Sequence, residues 1–165
     1  MTPLSPPIGS GEFFFWRIDA ERYAPTWHKG EGSLRVGGRW NSPGVRAVYT
    51  SLDPATAVLE VAVHKGFKVL DTEPHTLTSG RIIDPTNITI VEPKDVPNPN
   101  WLVPGTPNTN QQKFGDKLLR DNTFVLIPSA VSKNSWNMIF DATKVATEYD
   151  SITQDRFSLD PRLQP

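Results

Sequence analysis

Gly37-Gly38-Arg39-Trp40-Asn41-Ser42-Pro43-Gly44 runs directly into Val45-Arg46-Ala47-Val48-Tyr49-Thr50-Ser51 and then into Asp53-Pro54-Ala55. Read in order, these are a glycine-bracketed turn, a strand and the start of a helix. Glycine on both flanks lets the backbone take positive φ and approach a neighbour closely, while the arginine between them carries a rigid fork of donors suited to phosphate or carboxylate. Glycine and proline punctuate ordinary turns in the same way, so locally Arg39 also reads as a solvated turn residue. Asp53 has the chemistry of a helix N-cap and Pro54 that of the first helical position, and Ala55, Val58, Leu59, Ala62 and Val63 follow as an apolar stripe at helical spacing.

Outward from this centre, Phe13-Phe14-Phe15-Trp16-Arg17-Ile18 is an aromatic run with strong strand preference. The polar, glycine-dotted residues 19–38 read as a loop with a short turn of helix. Residues 76–83 and 87–91 read as strands, 111–120 as a second helix with Phe114, Leu118 and Leu119 on one side, and 123–127 as a buried strand. Residues 135–140 and 156–159 are weaker strands. Between them, 93–110 carries five prolines among asparagines and one apolar cluster, Trp101-Leu102-Val103, and reads as a long loop of the kind that serves as a lid or is pinned as a surface excursion. Strands that do not alternate strictly with helices argue for a mixed α+β domain over a doubly wound parallel sheet.

Composition narrows the function classes. The chain has 165 residues with 37% hydrophobic content, enough for one domain over residues 13–165 after a flexible arm at 1–12. Its 17 basic and 18 acidic residues give a formal charge of −1, so there is no bulk electrostatic reason to contact nucleic acid or an anionic membrane, and any anion site must be local. No cysteine is present, which excludes disulfides, thiolate nucleophiles and cysteine-ligated zinc. Neither a secretory leader nor an apolar run long enough to span a bilayer is legible, so a soluble cytoplasmic protein is expected.

Single residues say little alone. The glycines do not form a dinucleotide-binding Gly-x-Gly-x-x-Gly signature, no Gly-Lys-Ser/Thr phosphate loop exists, and no Gly-x-Ser-x-Gly elbow is present. His28, His64 and His75 lie at no metal-ligand spacing, so no metal site is expected. Glu60 lies about 130° around the helix from the centre of the apolar stripe, which by periodicity makes it a solvated carboxylate. Arg17, Tyr49, Ser129 and Asn137 read individually as strand or turn residues.

The order of these segments is similar to the RES domain family. The resemblance rests on Phe15-Trp16-Arg17-Ile18, the turn at Gly37 to Gly44, Val48-Tyr49-Thr50-Ser51 and Ala57-Val58-Leu59-Glu60-Val61-Ala62-Val63-His64. It continues through Gly115-Asp116, Ile127-Pro128-Ser129-Ala130, Ser135-Trp136-Asn137 and Phe157-Ser158-Leu159-Asp160-Pro161-Arg162-Leu163. After Asn137 the chain departs from many members, with Phe140-Asp141-Ala142-Thr143 in place of an asparagine-proline and a nearby histidine.

The resemblance implies an ADP-ribosyltransferase-like fold with mostly antiparallel sheets and a few helices, and a toxin of a toxin-antitoxin pair that acts on NAD as substrate and requires no cofactor. It places the family's arginine, glutamate and serine on Arg39, Glu60 and Ser129 as catalytic residues, with Arg17, Tyr49 and Asn137 as substrate-binding residues. Arg17 and Arg39 would grip pyrophosphate or ribose, Tyr49 would lie against the pyridinium ring, Glu60 would stabilise an oxocarbenium-like transition state, and Ser129 would bond the nicotinamide amide or ribose. The implied partner is a cognate Xre-like helix-turn-helix antitoxin that supplies the DNA contact; self-association is open. A catalytically silent RES-like module that binds a nucleotide or protein is the alternative. The catalytic reading makes one structural demand: Glu60 must face a cleft beside Arg39.

Overall fold

The computed structural model describes residues 11–101, 103, 107–160 and 162. Most of the expected N-terminal arm, together with Leu102, Pro104 to Thr106, Pro161 and Leu163, lies outside the described residues. The strands are β1 (Phe13–Ala20), β2 (Ala47–Ser51), β3 (His75–Ile82), β4 (Ile88–Ile90), β5 (Phe124–Pro128), β6 (Trp136–Asp141) and β7 (Tyr149–Phe157). The α-helices are α1 (Glu31–Val36), α2 (Pro54–Lys65), α3 (Phe67–Thr72) and α4 (Thr109–Asp121). One seven-stranded sheet runs β4-β5-β6-β2-β1-β3-β7, and every neighbouring pair is antiparallel except β4 with β5. The expected mixed α+β architecture with a mostly antiparallel sheet is the one observed.

Alternation along β5 shows how the sheet is buried on both faces. Phe124 and Leu126 join Phe13, Phe15, Val48, Met138 and Phe140 in one apolar cluster, while Val125 and Ile127 join Trp40, Ala47, Trp101, Leu119 and Ile139 in another. With apolar layers on both sides, all five residues of β5 are buried. A third cluster packs α2 and α3 against β1 through Ala57, Ala62, Leu70 and Ile18.

The sheet has one loose seam. β1 pairs with β3 in register from Phe13↔Ile82 to Ala20↔His75, and β2 pairs with β6 from Ala47↔Asp141 to Ser51↔Asn137. β1 and β2 meet in register only at Trp16↔Ser51 among the described residues. Beyond that point the two strands separate, and the carbonyl of Tyr49, which a continued ladder would have satisfied, accepts instead from Arg17 Nη1 at 2.8 Å. The opening so created is the cleft described below.

Several elements differ from the sequence reading. Residues 19–38 hold the end of β1, a 3-10 segment (Glu21–Lys29) and α1; only Trp27 of the 3-10 segment is buried and none of α1, so no apolar period marks them. The expected stripe on α2 is displaced: Thr56, Ala57 and Ala62 are buried, whereas Leu59 and Val63 are 38% and 64% exposed. Apolar residues occupy most positions of this helix, so periodicity does not choose a face, and the small side chains face inward where α2 packs against β1. Asp53 caps α2 as expected, its Oδ1 accepting from the Thr56 amide at 2.7 Å. β7 begins at Tyr149, seven residues before the expected strand; it is an edge strand with mostly exposed polar side chains, and Ser151 sits at φ 50 where the register against β3 shifts. The long loop after β4 contains a 3-10 turn (Pro93–Asp95), and Trp101 within it is buried. No helix among the described residues is long and apolar enough to cross a membrane.

Candidate functional site

Where β1 and β2 part, a cleft of about 450 Å³ opens, lined by Arg17 and Asp19 of β1, the turn residues Gly37 to Trp40, Tyr49 and Ser51 of β2, Glu60, His64 and Lys65 of α2, and Asn137 of β6. This volume falls within the range of small-molecule sites. Five of the six residues singled out from the sequence line it: Arg17, Arg39, Tyr49, Glu60 and Asn137.

Backbone geometry and α4 build the turn that carries Arg39. Gly37 ends α1 at φ 72, its amide donating to the Ser33 carbonyl at 2.8 Å, and a Cβ there would lie 2.8 Å from the Asn41 carbonyl oxygen. Asn41 is fully buried inside the turn. Its Nδ2 donates to the carbonyls of Ser33, Ser42 and Val45 at 3.0–3.3 Å, and its Oδ1 accepts from the Tyr49 hydroxyl at 2.7 Å. That hydroxyl in turn accepts from the Trp40 amide at 3.0 Å. From outside, α4 fixes the turn through Gln112 Nε2 to the Gly38 carbonyl (2.9 Å), the Ser42 amide to Asp116 Oδ1 (2.8 Å), and Gly115, where a Cβ would sit 1.9 Å from the Trp40 carbonyl oxygen.

Tyr49 is therefore a structural element of the turn as well as a wall of the cleft. Burial holds its phenol well above the ordinary value, partly offset by the Trp40 amide and the charge of Arg39. The hydroxyl stays neutral and is not a proton donor to the cleft.

The two arginines differ in what they leave free. Arg39 lines the cleft with Nη1 donating to the carbonyls of Trp101 at 2.5 Å and Val103 at 3.4 Å, so the long loop holds the guanidinium by one end. Trp101 is anchored against Trp40 with ring centroids 5.6 Å apart. The Nε and Nη2 edge of Arg39 has no partner among the described residues. In Arg17 that same edge is occupied, since Nε and Nη2 donate to Asp19 Oδ2 and Oδ1 at 2.7 and 2.6 Å in a bidentate pair.

Glu60 is half-buried and faces the cleft, meeting the structural demand made of it. Its Oε1 accepts from Ser129 Oγ at 2.8 Å and Asn137 Nδ2 at 2.5 Å. Asn137 is itself oriented by Ser51 Oγ, which donates to Asn137 Oδ1 at 2.8 Å. With both donors on one oxygen, Oε2 makes no hydrogen bond among the described residues. The chemistry available is that of a carboxylate fixed through one oxygen at the wall of the cleft.

Ser129 departs from its expected place. It is fully buried, does not line the cleft, and its hydroxyl donates to Glu60 while accepting from the amides of Val131 and Ser132 at 3.2 and 3.0 Å. A hydroxyl with its single proton on Glu60 and both lone pairs occupied has nothing left for a nicotinamide amide or ribose. Ser129 stands behind Glu60, and any effect it has on a bound molecule passes through that carboxylate.

Sequence reading missed Asp19, Asn41, Ser51, Trp101, Gln112 and Asp116 as parts of this arrangement. Asp19 had a local signal, because residues two apart on a strand share a face and Arg17 lies two before it. Ser51, two residues after Tyr49 on β2, had the same signal and Asn41 lies within the turn itself, whereas Trp101, Gln112 and Asp116 meet the site only through the tertiary fold.

Comparison with known proteins finds relatives over most of the chain. The chain is 31% identical to the Toxin Res of Pseudomonas putida over 150 residues, covering 90% of this chain and 97% of that protein. It is 28% identical to the Toxin Res of Photorhabdus laumondii over 152 residues, with 90% and 95% covered. A shorter match of 52 residues, at 46% identity over 30% of this chain and 32% of the relative, is to the Prs ADP-ribosylating toxin of a Sphingobium species. The crystal structure of the M. tuberculosis MbcT-MbcA toxin-antitoxin complex contains a chain of the same fold, with a TM-score of 0.68 at 18% identity, covering 93% of this chain and 87% of that one. The RES domain matches residues 14–160, all of the sheet but its first residue together with the helices, and the chain belongs to the RES domain family.

Proposed function

We propose that this protein is the toxin of a toxin-antitoxin pair and cleaves the bond between nicotinamide and ribose in NAD. The observation that carries this reading is the Glu60 carboxylate, anchored at Oε1 by Ser129 and Asn137, lining one cleft with Arg39, while Glu60 Oε2 and the Nε and Nη2 edge of Arg39 have no partner among the described residues. The names of the relatives support the toxin role, and the ADP-ribosylating name of the Sphingobium protein supports NAD as the substrate.

The residue types suit the chemistry. As the bond between ribose C1′ and the ring nitrogen breaks, its electron pair moves to the nitrogen, neutral nicotinamide leaves, and positive charge develops on the ribose. A carboxylate whose position is fixed beforehand stabilises that charge without reorganising at the moment of reaction. The acceptor then bonds to C1′ and gives up its proton. Arg39 holds the pyrophosphate by its free Nε and Nη2 edge, and the ring of Tyr49 offers a face to the pyridinium. The cell keeps this activity in check with a protein antitoxin of Xre-like helix-turn-helix type, and the pair acts in the cytoplasm.

The purified protein is incubated with NAD, with and without inorganic phosphate, and nicotinamide and the ribosyl product are followed by chromatography. Phosphate dependence separates phosphorolysis from hydrolysis or transfer to a protein side chain. Glu60→Gln, which keeps the shape and loses the charge, is expected to lower nicotinamide release by about 100-fold or more. Equal, negligible release by wild type and variant refutes the enzyme reading.

A further inference from the structure

The Arg17–Asp19 pair lies in the wall of the cleft, where Arg17 also bridges β1 to the Tyr49 carbonyl of β2. Asp19 is 10% exposed in its side chain and Arg17 27%, and both line the cleft. The Arg17 edge that grips a phosphate in two parallel bonds is closed by Asp19, and its charge is offset there. What remains is one hydrogen on Nη1, whose other hydrogen goes to the Tyr49 carbonyl, and one on Nη2. Each Asp19 oxygen accepts one bond from Arg17 and keeps a lone-pair site with no donor among the described residues. The pair is thus a donor beside an acceptor, which complements a neutral group carrying both, and is poorly matched to a second anion.

A dinucleotide with a pyridinium ring has one such neutral group at its cationic end. The carboxamide offers a carbonyl to the Arg17 hydrogens and an amide N–H to Asp19, and the ring's positive charge is favoured by the Glu60 carboxylate. The pyrophosphate is left to Arg39, whose bidentate edge is open. We propose that Asp19 is a specificity-determining residue of the site, accepting from the nicotinamide carboxamide and rejecting dinucleotides that carry a carboxylate in its place. This rests on the NAD-cleaving reading above. A carboxylate there would set like charges against each other in a partly buried cleft and leave the Asp19 acceptor unpaired, the kind of mismatch that discriminates strongly.

The test compares NAD with nicotinic acid adenine dinucleotide as substrates of the full chain, as wild type, Asp19→Asn and Asp19→Ala, with circular dichroism to confirm folding. Wild type is expected to favour NAD in kcat/KM by about 30-fold or more, and Asp19→Asn to narrow that preference by about 10-fold, because its amide accepts with one atom and donates with the other. If Asp19 only orients Arg17, the variants slow both substrates together and the ratio stays fixed, which overturns the proposal; so does a wild type that does not discriminate. Should wild type cleave neither dinucleotide, the enzyme reading is the one that fails. The same ratio, read as Kd for the two dinucleotides by calorimetry on wild type and Asp19→Asn, then decides the role of Asp19.

Discussion

Ser129→Ala separates a residue that touches substrate from one that acts through Glu60. The substitution removes one of the two donors on Glu60 Oε1, leaving Asn137 Nδ2 alone to fix the carboxylate, and deprives the amides of Val131 and Ser132 of their acceptor. A hydrogen bond to a charged group contributes about 1.5–3 kcal/mol. If most of that holds Glu60 in its productive position, kcat falls by about 10- to 150-fold, since each factor of ten corresponds to about 1.4 kcal/mol. Val131 and Ser132 are only half-buried, so water takes over part of their bonding, and the loss of stability is expected near the low end of about 1–3 kcal/mol. KM for NAD should stay within about two-fold of wild type, because the buried hydroxyl has no free bond to offer the substrate. Steady-state kinetics of nicotinamide release, paired with a urea melt, measures both. A variant with kcat intact and KM raised would falsify this placement and return Ser129 to the substrate-binding surface.

Two further substitutions test the frame of the cleft. Gly115→Ala puts a methyl group where α4 meets the Trp40 carbonyl at 1.9 Å from backbone, so a loss of about 3 kcal/mol or more is expected in a denaturant melt. An unchanged midpoint would show that α4 does not hold the turn this closely. Tyr49→Phe orphans Asn41 Oδ1 and the Trp40 amide and is expected to cost about 1–3 kcal/mol at neutral pH. It should also remove an alkaline liability. Burial raises the folded-state phenol above its ordinary value of 10.0, so its contribution is fully present below that pH and is lost as pH climbs from there towards the folded value. Between pH 8 and 10.5 wild type should therefore lose more stability than Tyr49→Phe; equal losses would mean that burial does not raise the Tyr49 phenol.

How much of this was legible in the sequence differs by element. Asp53-Pro54 announced α2 because capping chemistry is local, and the short continuous apolar run of β5 announced a buried strand because apolar layers cover both its faces. β7 and α1 were legible only in part, the one at Arg156 and Phe157 and the other as a short turn of helix: one is an exposed edge whose ladder to β3 carries the structure, and the other buries none of its six residues. Glu60 is the instructive case. A helix with apolar residues at most positions gives periodicity no face to choose, and the angle measured from the Leu59–Val63 stripe sent Glu60 to solvent. Once small residues turn inward against Ile18, that stripe lies outside and Glu60 comes round to the cleft. Resemblance located this residue, since nothing local to residues 54–65 records the approach of β1.

The two arginines carry the same lesson into the chemistry. Both are half-buried, both line the same cleft, and as residue types both suit a pyrophosphate. Their difference lies in which nitrogens are taken, and that is decided by the seam between β1 and β2. Because the ladder stops at Trp16↔Ser51, the Tyr49 carbonyl needs a donor, and the next residue of β1, Arg17, reaches across to supply it. The reach lays its Nε and Nη2 edge along β1, where Asp19, two residues on and on the same face, closes it. Arg39 is held from the opposite end, by carbonyls of the loop at Trp101 and Val103, and keeps that edge open. One seam in the sheet thus opens the cleft and neutralises one arginine, while the other, held by the loop, keeps its Nε and Nη2 edge without a partner among the described residues.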